Sequence, residues 1–399
     1  MQEVRPGLLP VERARCQHLV FGVVRHAGRL EAALDALIAH PPRFPTRAVL
    51  LLAGYELIES LGPSAEPGHA AKIVHHAVER AKSIASPAEV GLVNAVVRRL
   101  AERLAGEAEP PRFAPAADLA RYYSHPDWLV RRWLAAFGAE DTRALLEWNQ
   151  RPGLVRVRWR GPGDAPAWLL PTPWPGFFEV PQGRWPDLAP FLENRAVYPQ
   201  DPGTRIAVGL LKPVAGEPVL DLCAAPGGKT LLIADSAGAA GAGVVAFDLP
   251  GPSLQRLREN LSASGVKAGV AEGDLWRDPA RTLREGGFPE TYPAVLIDVP
   301  CSNTGVMRHR IDVKWRLQEA DFDRHVRQQL ALLSGAARLV SPGGRLVYST
   351  CSIDPGENSG VVKTFLARAG CPFTLEASET ALPWACGHDG AAAFLLRRS

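Results

Sequence analysis

Residues 219–230 read VLDLCAAPGGKT and decide the fold, because a short apolar run ends at Asp221 and a loop of small residues follows it. Three later apolar runs end the same way, at Asp248, Asp274 and Asp298. The run RLVYSTC ends at Cys351. The aspartates lie about 25 residues apart, the length of one buried strand and one crossover helix, so a parallel α/β sheet is predicted. Ligands of such sheets bind outside the carboxyl ends of the strands, where these residues are expected.

The rest of the chain is predicted to form two further domains. Over residues 1–147, apolar residues recur at three-to-four spacing between proline and glycine clusters, which predicts an all-α domain. Residues 148–204 are rich in proline and glycine and contain one alternating stretch, so they predict a small β-containing connector module. The α/β domain is then expected over 205–399.

Composition excludes several classes of protein. With 399 residues, 46% of them hydrophobic, the chain has enough apolar residues for real cores and is not disordered. A net charge of +3 does not by itself indicate a nucleic-acid partner. Six scattered cysteines without a CxxC pair predict no metal site, and their number fits a reducing compartment. With neither a signal peptide nor a long apolar run in view, we expect a cytoplasmic protein without a membrane partner.

Two groups of arginines are candidates for binding RNA phosphates. In the alternating stretch 154–160, one face carries Arg156, Arg158 and Arg160. A predicted helix of the all-α domain carries Arg98 and Arg99 near its end. Guanidinium groups suit phosphate through their paired donors. The alternative is that these side chains only solvate the surface.

The loop DLCAAPGGKT permits more than one cofactor. A phosphate-binding P-loop requires a glycine where Cys223 stands, and the nicotinamide motif GxGxxG is absent. A nucleoside cofactor without a pyrophosphate fits better. Asp248 would then hold the ribose hydroxyls and Asp274 would lie where an adenine can be bound. The alternative is that both aspartates merely cap helices, but four aspartates at matched positions favour a site.

Two cysteines are predicted at the same edge, Cys301 in VPCSNTG and Cys351 in STCS. A lone cysteine is usually a small buried hydrophobe. A pair at adjacent strand ends beside a nucleoside site instead indicates reactive thiols. Cations stabilise the thiolate, and several follow the first cysteine closely, namely Arg308, His309, Arg310 and Lys314.

Three long motifs give the chain a specific resemblance. DLCAAPGGKT, DVPCSNTGVMRHRIDVKW and YSTCSIDPGEN closely resemble the signature motifs of the NOL1/NOP2/Sun family of RNA cytosine-C5 methyltransferases, in the right order. The stretches at 49–59 and 89–100 are similar to a NusB-like RNA-binding domain. The resemblance implies a Rossmann-like methyltransferase domain preceded by an all-α NusB-like domain and a small α+β connector module. Two departures are a short, proline-rich connector and the sequence LPGP after Asp248.

The resemblance also implies a cofactor and a substrate. The cofactor would be S-adenosyl-L-methionine, and the substrate small-subunit (16S) ribosomal RNA, modified by a monomeric enzyme without a metal. Besides Asp248, Asp274 and Asp298, the residues expected to bind the cofactor are those of the loop, Cys223, Ala224, Ala225, Pro226, Gly227, Gly228 and Lys229.

Each catalytic residue receives a role by the same resemblance. Cys351 would add to C6 of the cytosine, which makes C5 enamine-like and able to attack the methyl group. Cys301 would assist release of the product. Asp298 would also hydrogen-bond the cytosine near N3 and N4, and Lys314 would lie close enough to assist. The target base must leave any stack to reach this edge.

Two other functions remain open at this point. The first is a non-catalytic RNA-binding or ribosome-assembly factor built on a methyltransferase fold, against which the intact loop and both cysteines argue. The second is a DNA cytosine-C5 methyltransferase, which attacks through the cysteine that follows proline. The cysteine of the TCS motif and the NusB-like domain favour RNA.

Overall fold

A computed structural model describes residues 7–61, 68–238 and 243–399. The chain forms two compact units. The helical unit extends to Arg151 and also contains Arg310–Arg316, and the second unit contains residues 152–309 and 317–399. The predicted α/β fold with a helical N-terminal domain is confirmed.

The described residues in the N-terminal part of the helical unit form the helices α1 Pro10–Arg25, α2 Ala27–Asp35, α3 Phe44–Ser60, α4 His69–Lys82, α5 Pro87–Ala105, α6 Ala116–Tyr122 and α7 Asp127–Gln150. Apolar residues of α2 to α5 form one buried cluster around Leu50 and Leu100. Ser86 caps α5 and exchanges hydrogen bonds with Glu89, an arrangement that satisfies free N–H groups at a helix start. The unit continues past the predicted boundary at residue 147 because α7 runs to Gln150.

The second unit begins with a small antiparallel sheet. Its strands are β1 Arg156–Trp159, β2 Leu170–Pro171, β3 Phe177–Glu179 and β4 Val197–Pro199, in the order β2-β3-β1-β4, with helix α8 at Ala189–Glu193. Val157 is fully buried in the core of this sheet, as the alternating pattern predicts.

The structure corrects the prediction that one face of β1 is free to bind RNA. Arg156, Arg158 and Arg160 do extend from one side of the strand, but that side is covered within the second unit and their side chains are only 6–8% exposed. Arg158 and Arg160 both pair with Asp235, and Arg156 pairs with Asp201. Guanidinium groups buried in this way are held by carboxylates, so they do not form a free surface for phosphates.

A seven-stranded sheet follows. Its strands are β5 Val219–Leu222, β6 Val244–Asp248, β7 Gly269–Glu272, β8 Tyr292–Asp298, β9 Val340–Thr350, β10 Phe373–Ala381 and β11 Ala391–Arg398. The remaining helices are α9 Arg205–Leu211, α10 Gly228–Ser236, α11 Pro252–Ala263, α12 Pro279–Glu285, α13 Val313–Arg316, α14 Glu319–Ala337, α15 Val361–Leu366 and α16 Pro383–Cys386, of which α13 belongs to the helical unit.

The order of the strands fixes where a ligand can bind. The sheet has the order β10-β11-β9-β8-β5-β6-β7; β5 to β9 pair in parallel, and β11 runs antiparallel to β9. Strand β5 lies between β6 and β8, so the chain reverses its direction of winding there. Alternate residues enter two cores, with Leu220 and Leu222 in one and Val219 in the other. A crevice at the carboxyl ends of β5 and β8 is therefore the expected ligand site.

Two absences concern only the described residues, which omit 1–6, 62–67 and 239–242. Among them, no helix combines the length and apolar character needed to cross a bilayer. Over the same residues, no group of three or more histidine, cysteine, aspartate or glutamate side chains is placed to hold a metal ion.

The shared carboxylate of Asp235 yields a prediction about stability. Asp235→Ala leaves Arg158 and Arg160 buried with no carboxylate between them. We expect the free energy of unfolding to fall by about 2–3 kcal/mol, less than for a fully buried pair because the Asp235 side chain is 31% exposed. Asp323→Ala, at an exposed site on α14, is the matched control and should change stability by less than about 0.5 kcal/mol. Equal decreases for the two variants in chemical denaturation would contradict this explanation.

Candidate active site

The loop between β5 and α10 has the shape of a cradle. Cys223 and Gly227 have positive φ angles of 56° and 105°. A Cβ atom at Gly227 would lie 3.2 Å from Leu257. Both the positive φ angle and this close approach therefore favour glycine at position 227. Burial raises the pKa of the Cys223 thiol, with help from nearby carboxylates. Cys223 is therefore an unreactive part of the loop wall.

Asp248 joins this loop to the end of β6. Its carboxylate accepts hydrogen bonds from the backbone N–H groups of Ala225 and Leu249, both at 2.7 Å. Each oxygen thus uses one acceptor position and retains another. Asp274 lies in the loop after β7 and accepts from the N–H of Trp276 at 2.9 Å. The two carboxylates lie at the ends of neighbouring strands, as predicted from the sequence.

Lys229 and Asp298 form an ion pair between α10 and β8. Lys229 Nζ lies 2.6 Å from Asp298 Oδ2, and Ser349 donates to Asp298 Oδ1 at 3.0 Å. Burial alone would lower the pKa of Lys229, but Asp298 outweighs that effect and the pKa is raised. The fully buried Asp221 accepts from Thr230 at 2.6 Å, and burial raises its pKa to about 7.

The two predicted cysteines meet at this edge. Cys301, three residues beyond β8, places its Sγ atom 3.2 Å from Sγ of Cys351, which follows β9 directly. Both are free thiols. The side chain of Asn303 is close to both cysteines, with Oδ1 3.3 Å from Sγ of Cys351 and Nδ2 donating to the Cys301 carbonyl at 2.9 Å.

The surroundings of Cys301 disfavour its thiolate. The pKa of Cys301 is raised, first by its hydrogen bond to Cys351 and then by burial and by negative charge around it. Deprotonation of Cys301 is therefore unfavourable while Cys351 lies beside it. The Cys301 S–H group can then donate a hydrogen bond to the sulfur of Cys351.

Sequence reasoning missed Glu357. This carboxylate is fully buried and accepts hydrogen bonds from Ser302, Ser352 and Gln329. The only signal was its place in the motif YSTCSIDPGEN, six residues after Cys351. A glutamate that follows proline and glycine usually indicates an exposed turn.

Lys314, predicted to assist catalysis, instead has a buried position within the helical unit. It belongs to the helical unit, where it is buried and its Nζ atom donates to the Arg25 carbonyl at 2.8 Å. Burial lowers the pKa of Lys314 well below its usual range. The neighbouring Trp315 donates to the Val24 carbonyl at 2.8 Å, so both side chains bind backbone carbonyls at the end of α1. Lys314 is thus an anchor of its own segment.

The two candidate arginines of the helical unit lie at the surface. Arg98 and Arg99 are exposed on α5, and Arg98 Nε donates to Asn94 at 3.2 Å. Their exposure leaves them available for a polyanion, in contrast to the arginines of β1.

Comparison with known families agrees with the motifs. A family model described as 16S rRNA methyltransferase RsmB/F matches residues 208–380, and a NusB family model matches residues 2–102. The ribosomal RNA small subunit methyltransferase B of Salmonella paratyphi B is 36% identical over 376 residues, covering 90% of this chain and 82% of that protein.

Solved structures share the fold. The crystal structure of PH0851 aligns with a TM-score of 0.75 at 22% identity, over 99% of this chain and 92% of that one. The structure of NSun6 from Pyrococcus horikoshii with SFG aligns with a TM-score of 0.56 at 17% identity, over 68% of this chain and 98% of that one. The resemblance inferred from the three motifs is confirmed, and the chain belongs to the RsmB/F family of 16S rRNA methyltransferases.

Proposed function

We propose that this protein transfers a methyl group from S-adenosylmethionine to C5 of a cytosine in small-subunit ribosomal RNA, through a covalent bond between Cys351 and C6 of the base. The observation that carries the proposal is the pair of thiols 3.2 Å apart at the carboxyl edge of the sheet, beside the loop that follows β5. The relatives named as ribosomal RNA methyltransferases support the substrate class.

The residues at the edge fit the cofactor. Asp248 and Asp274 end or follow adjacent strands, and each retains oxygen acceptor positions for a ribose diol or an adenine amino group. The turn at Gly227 lets backbone approach a ligand closely. S-adenosylmethionine, when bound there, supplies an electrophilic methyl group.

The chain's own residues account for activation of the base. Cytosine C5 is a poor nucleophile, and addition of the Cys351 thiolate to C6 places the electron pair of the C5–C6 double bond where C5 can use it. The Asp298 carboxylate, fixed by Lys229 and Ser349, would accept a hydrogen bond from the N4 amino group.

Release of the product uses the second sulfur. Once Cys351 is bonded to C6, it no longer carries negative charge. The negative charge of Cys351 then no longer raises the pKa of Cys301, so Cys301 can lose its own proton to water and act as a base. The C5 proton leaves to such a base, the C5–C6 double bond forms again, and the Cys351 sulfur departs with the electrons of its bond to C6.

Replacement of each cysteine separates these roles. Cys351→Ala should abolish methyl transfer, measured with labelled cofactor and ribosomal RNA, while cofactor affinity stays near normal. Cys301→Ala should slow release, so that a covalent protein–RNA adduct accumulates on denaturing gels. Substantial turnover by the Cys351 variant would assign the nucleophile to another residue.

Cofactor affinity tests the role of Asp248. Asp248→Ala removes acceptors for the ribose and for the Ala225 N–H, so affinity for S-adenosylmethionine should fall at least about tenfold in calorimetric titration. Glu272→Ala is the matched control, because Glu272 lies opposite Asp248 on β7 and is exposed. An unchanged affinity in the Asp248 variant would argue against this cofactor site.

RNA binding through the helical unit is expected to depend on salt. Replacing Arg98 and Arg99 by glutamine removes two exposed cations from α5. The slope of log affinity against log salt should flatten by about 1.4, because each phosphate neutralised on single-stranded RNA contributes about 0.7 to that slope. The same double change at Arg281 and Arg284 of α12 is the control and should leave the slope unaltered. Equal slopes for wild type and the α5 variant would exclude a role for these two arginines in RNA binding.

A further inference from the structure

The carboxylate of Glu357 joins the two loops that carry the cysteines. Oε1 accepts from the backbone N–H of Ser302 and from the Gln329 side chain, both at 2.9 Å. Oε2 accepts from the hydroxyl of Ser352 at 2.6 Å and from the hydroxyl of Ser302. A carboxylate has about four acceptor positions, and here each is used.

The partners of Glu357 are the direct neighbours of the thiols. Ser302 follows Cys301 and Ser352 follows Cys351. The two serine hydroxyls also contact each other at 3.1 Å, and the hydroxyl of Thr304 lies 3.0 Å from that of Ser352. Buried polar groups on the residues that follow the two cysteines thus link the two loops.

The backbone of Glu357 is fixed as well. The Tyr348 hydroxyl donates to the Glu357 carbonyl at 2.6 Å, and Tyr348 is fully buried in β9. Gln329 extends from α14 and also donates to the Pro300 carbonyl at 3.0 Å, immediately before Cys301. Glu357 is therefore fixed by hydrogen bonds from β9 and from α14, and its carboxylate in turn restrains both loops.

We propose that Glu357 is a positioning residue that holds the loop after β8 against the loop after β9 and so keeps the sulfur atoms of Cys301 and Cys351 in contact. This inference rests on the proposed function for its purpose, because two sulfurs acting on adjacent atoms C6 and C5 of one base have to stay close together. Its geometry is independent of any substrate. A displacement of about 1 Å at reacting groups costs about 100-fold in rate.

Bridging by a trivalent arsenical tests the inference without RNA or cofactor. Phenylarsine oxide forms two As–S bonds with a pair of neighbouring thiols, and its oxygen leaves as water with the two thiol protons. The wild-type protein should be bridged between Cys301 and Cys351, as identified by peptide mass mapping. Cys301→Ala and Cys351→Ala should each abolish this bridge.

Three substitutions are expected to weaken the contact between the two cysteine-bearing loops to different extents. Glu357→Ala should lower affinity for the arsenical at least about tenfold, because the two thiols lose their high effective concentration. It should also lower kcat about 100-fold while leaving the affinity for S-adenosylmethionine near normal. Glu357→Gln should be milder, since serine hydroxyls can rotate to accept from the new amide. The double change Ser302→Ala and Ser352→Ala removes only the hydroxyl donors and should weaken bridging even if alanine at 357 prevents folding.

Glu379→Ala, at an exposed glutamate on β10, is the matched control and should match wild type in bridging. Wild-type bridging by both the Glu357→Ala variant and the double serine variant would overturn the inference, as would failure of the wild-type protein to form the bridge. If bridging changes as expected but no cytosine is methylated, the positioning role stands and the proposed function fails. If the wild-type protein methylates cytosine but bridging is unaltered in the variants, the proposed function stands and the positioning role fails.

Discussion

Parallel pairing of β8 with β9 is the constraint on which the site depends. Asp298 lies opposite Ser349 in this register, so the chain leaves both strands at the same level of the sheet. The two cysteines follow within three residues of these positions, and their sulfur atoms meet at 3.2 Å. Since β5 pairs with β8 on its other side, the loop after β5 opens onto the same edge, and one strand order brings the loop and the cysteines together.

Charge and burial then determine the ionisation of residues at this edge. Lys229 is neutralised by Asp298, and the pKa of Cys301 is raised by its neighbour Cys351 and by burial. In the proposed mechanism, a nucleophile and a later base share one small volume, and covalent bonding of the first would change the pKa of the second.

The sequence predicts much of this arrangement, but it misses features that depend on burial by other elements and on contacts between residues far apart in the chain. The strand ends, Asp248 and both cysteines could be located because apolar runs and sequence motifs are local patterns. The alternation of Arg156 and Arg158 correctly indicates one face of β1, but alternation does not tell whether another element covers that face. Glu357 was missed because two of its partners lie 55 and 28 residues away along the chain. Lys314 was named as a catalytic candidate, but its burial against the Arg25 carbonyl is a tertiary property that the sequence does not indicate.

The most direct measurement of the central claim is the identity of the residue bonded to the base. Ribosomal RNA carrying 5-fluorocytidine retains fluorine at C5 after methyl transfer, so no proton can leave and the adduct persists. Digestion and mass spectrometry of the trapped complex then locate the bond. We expect the modified nucleotide on Cys351 in the wild-type protein, with Cys301 unmodified. A nucleotide on Cys301, or methylated RNA without any trapped protein, would contradict the claim.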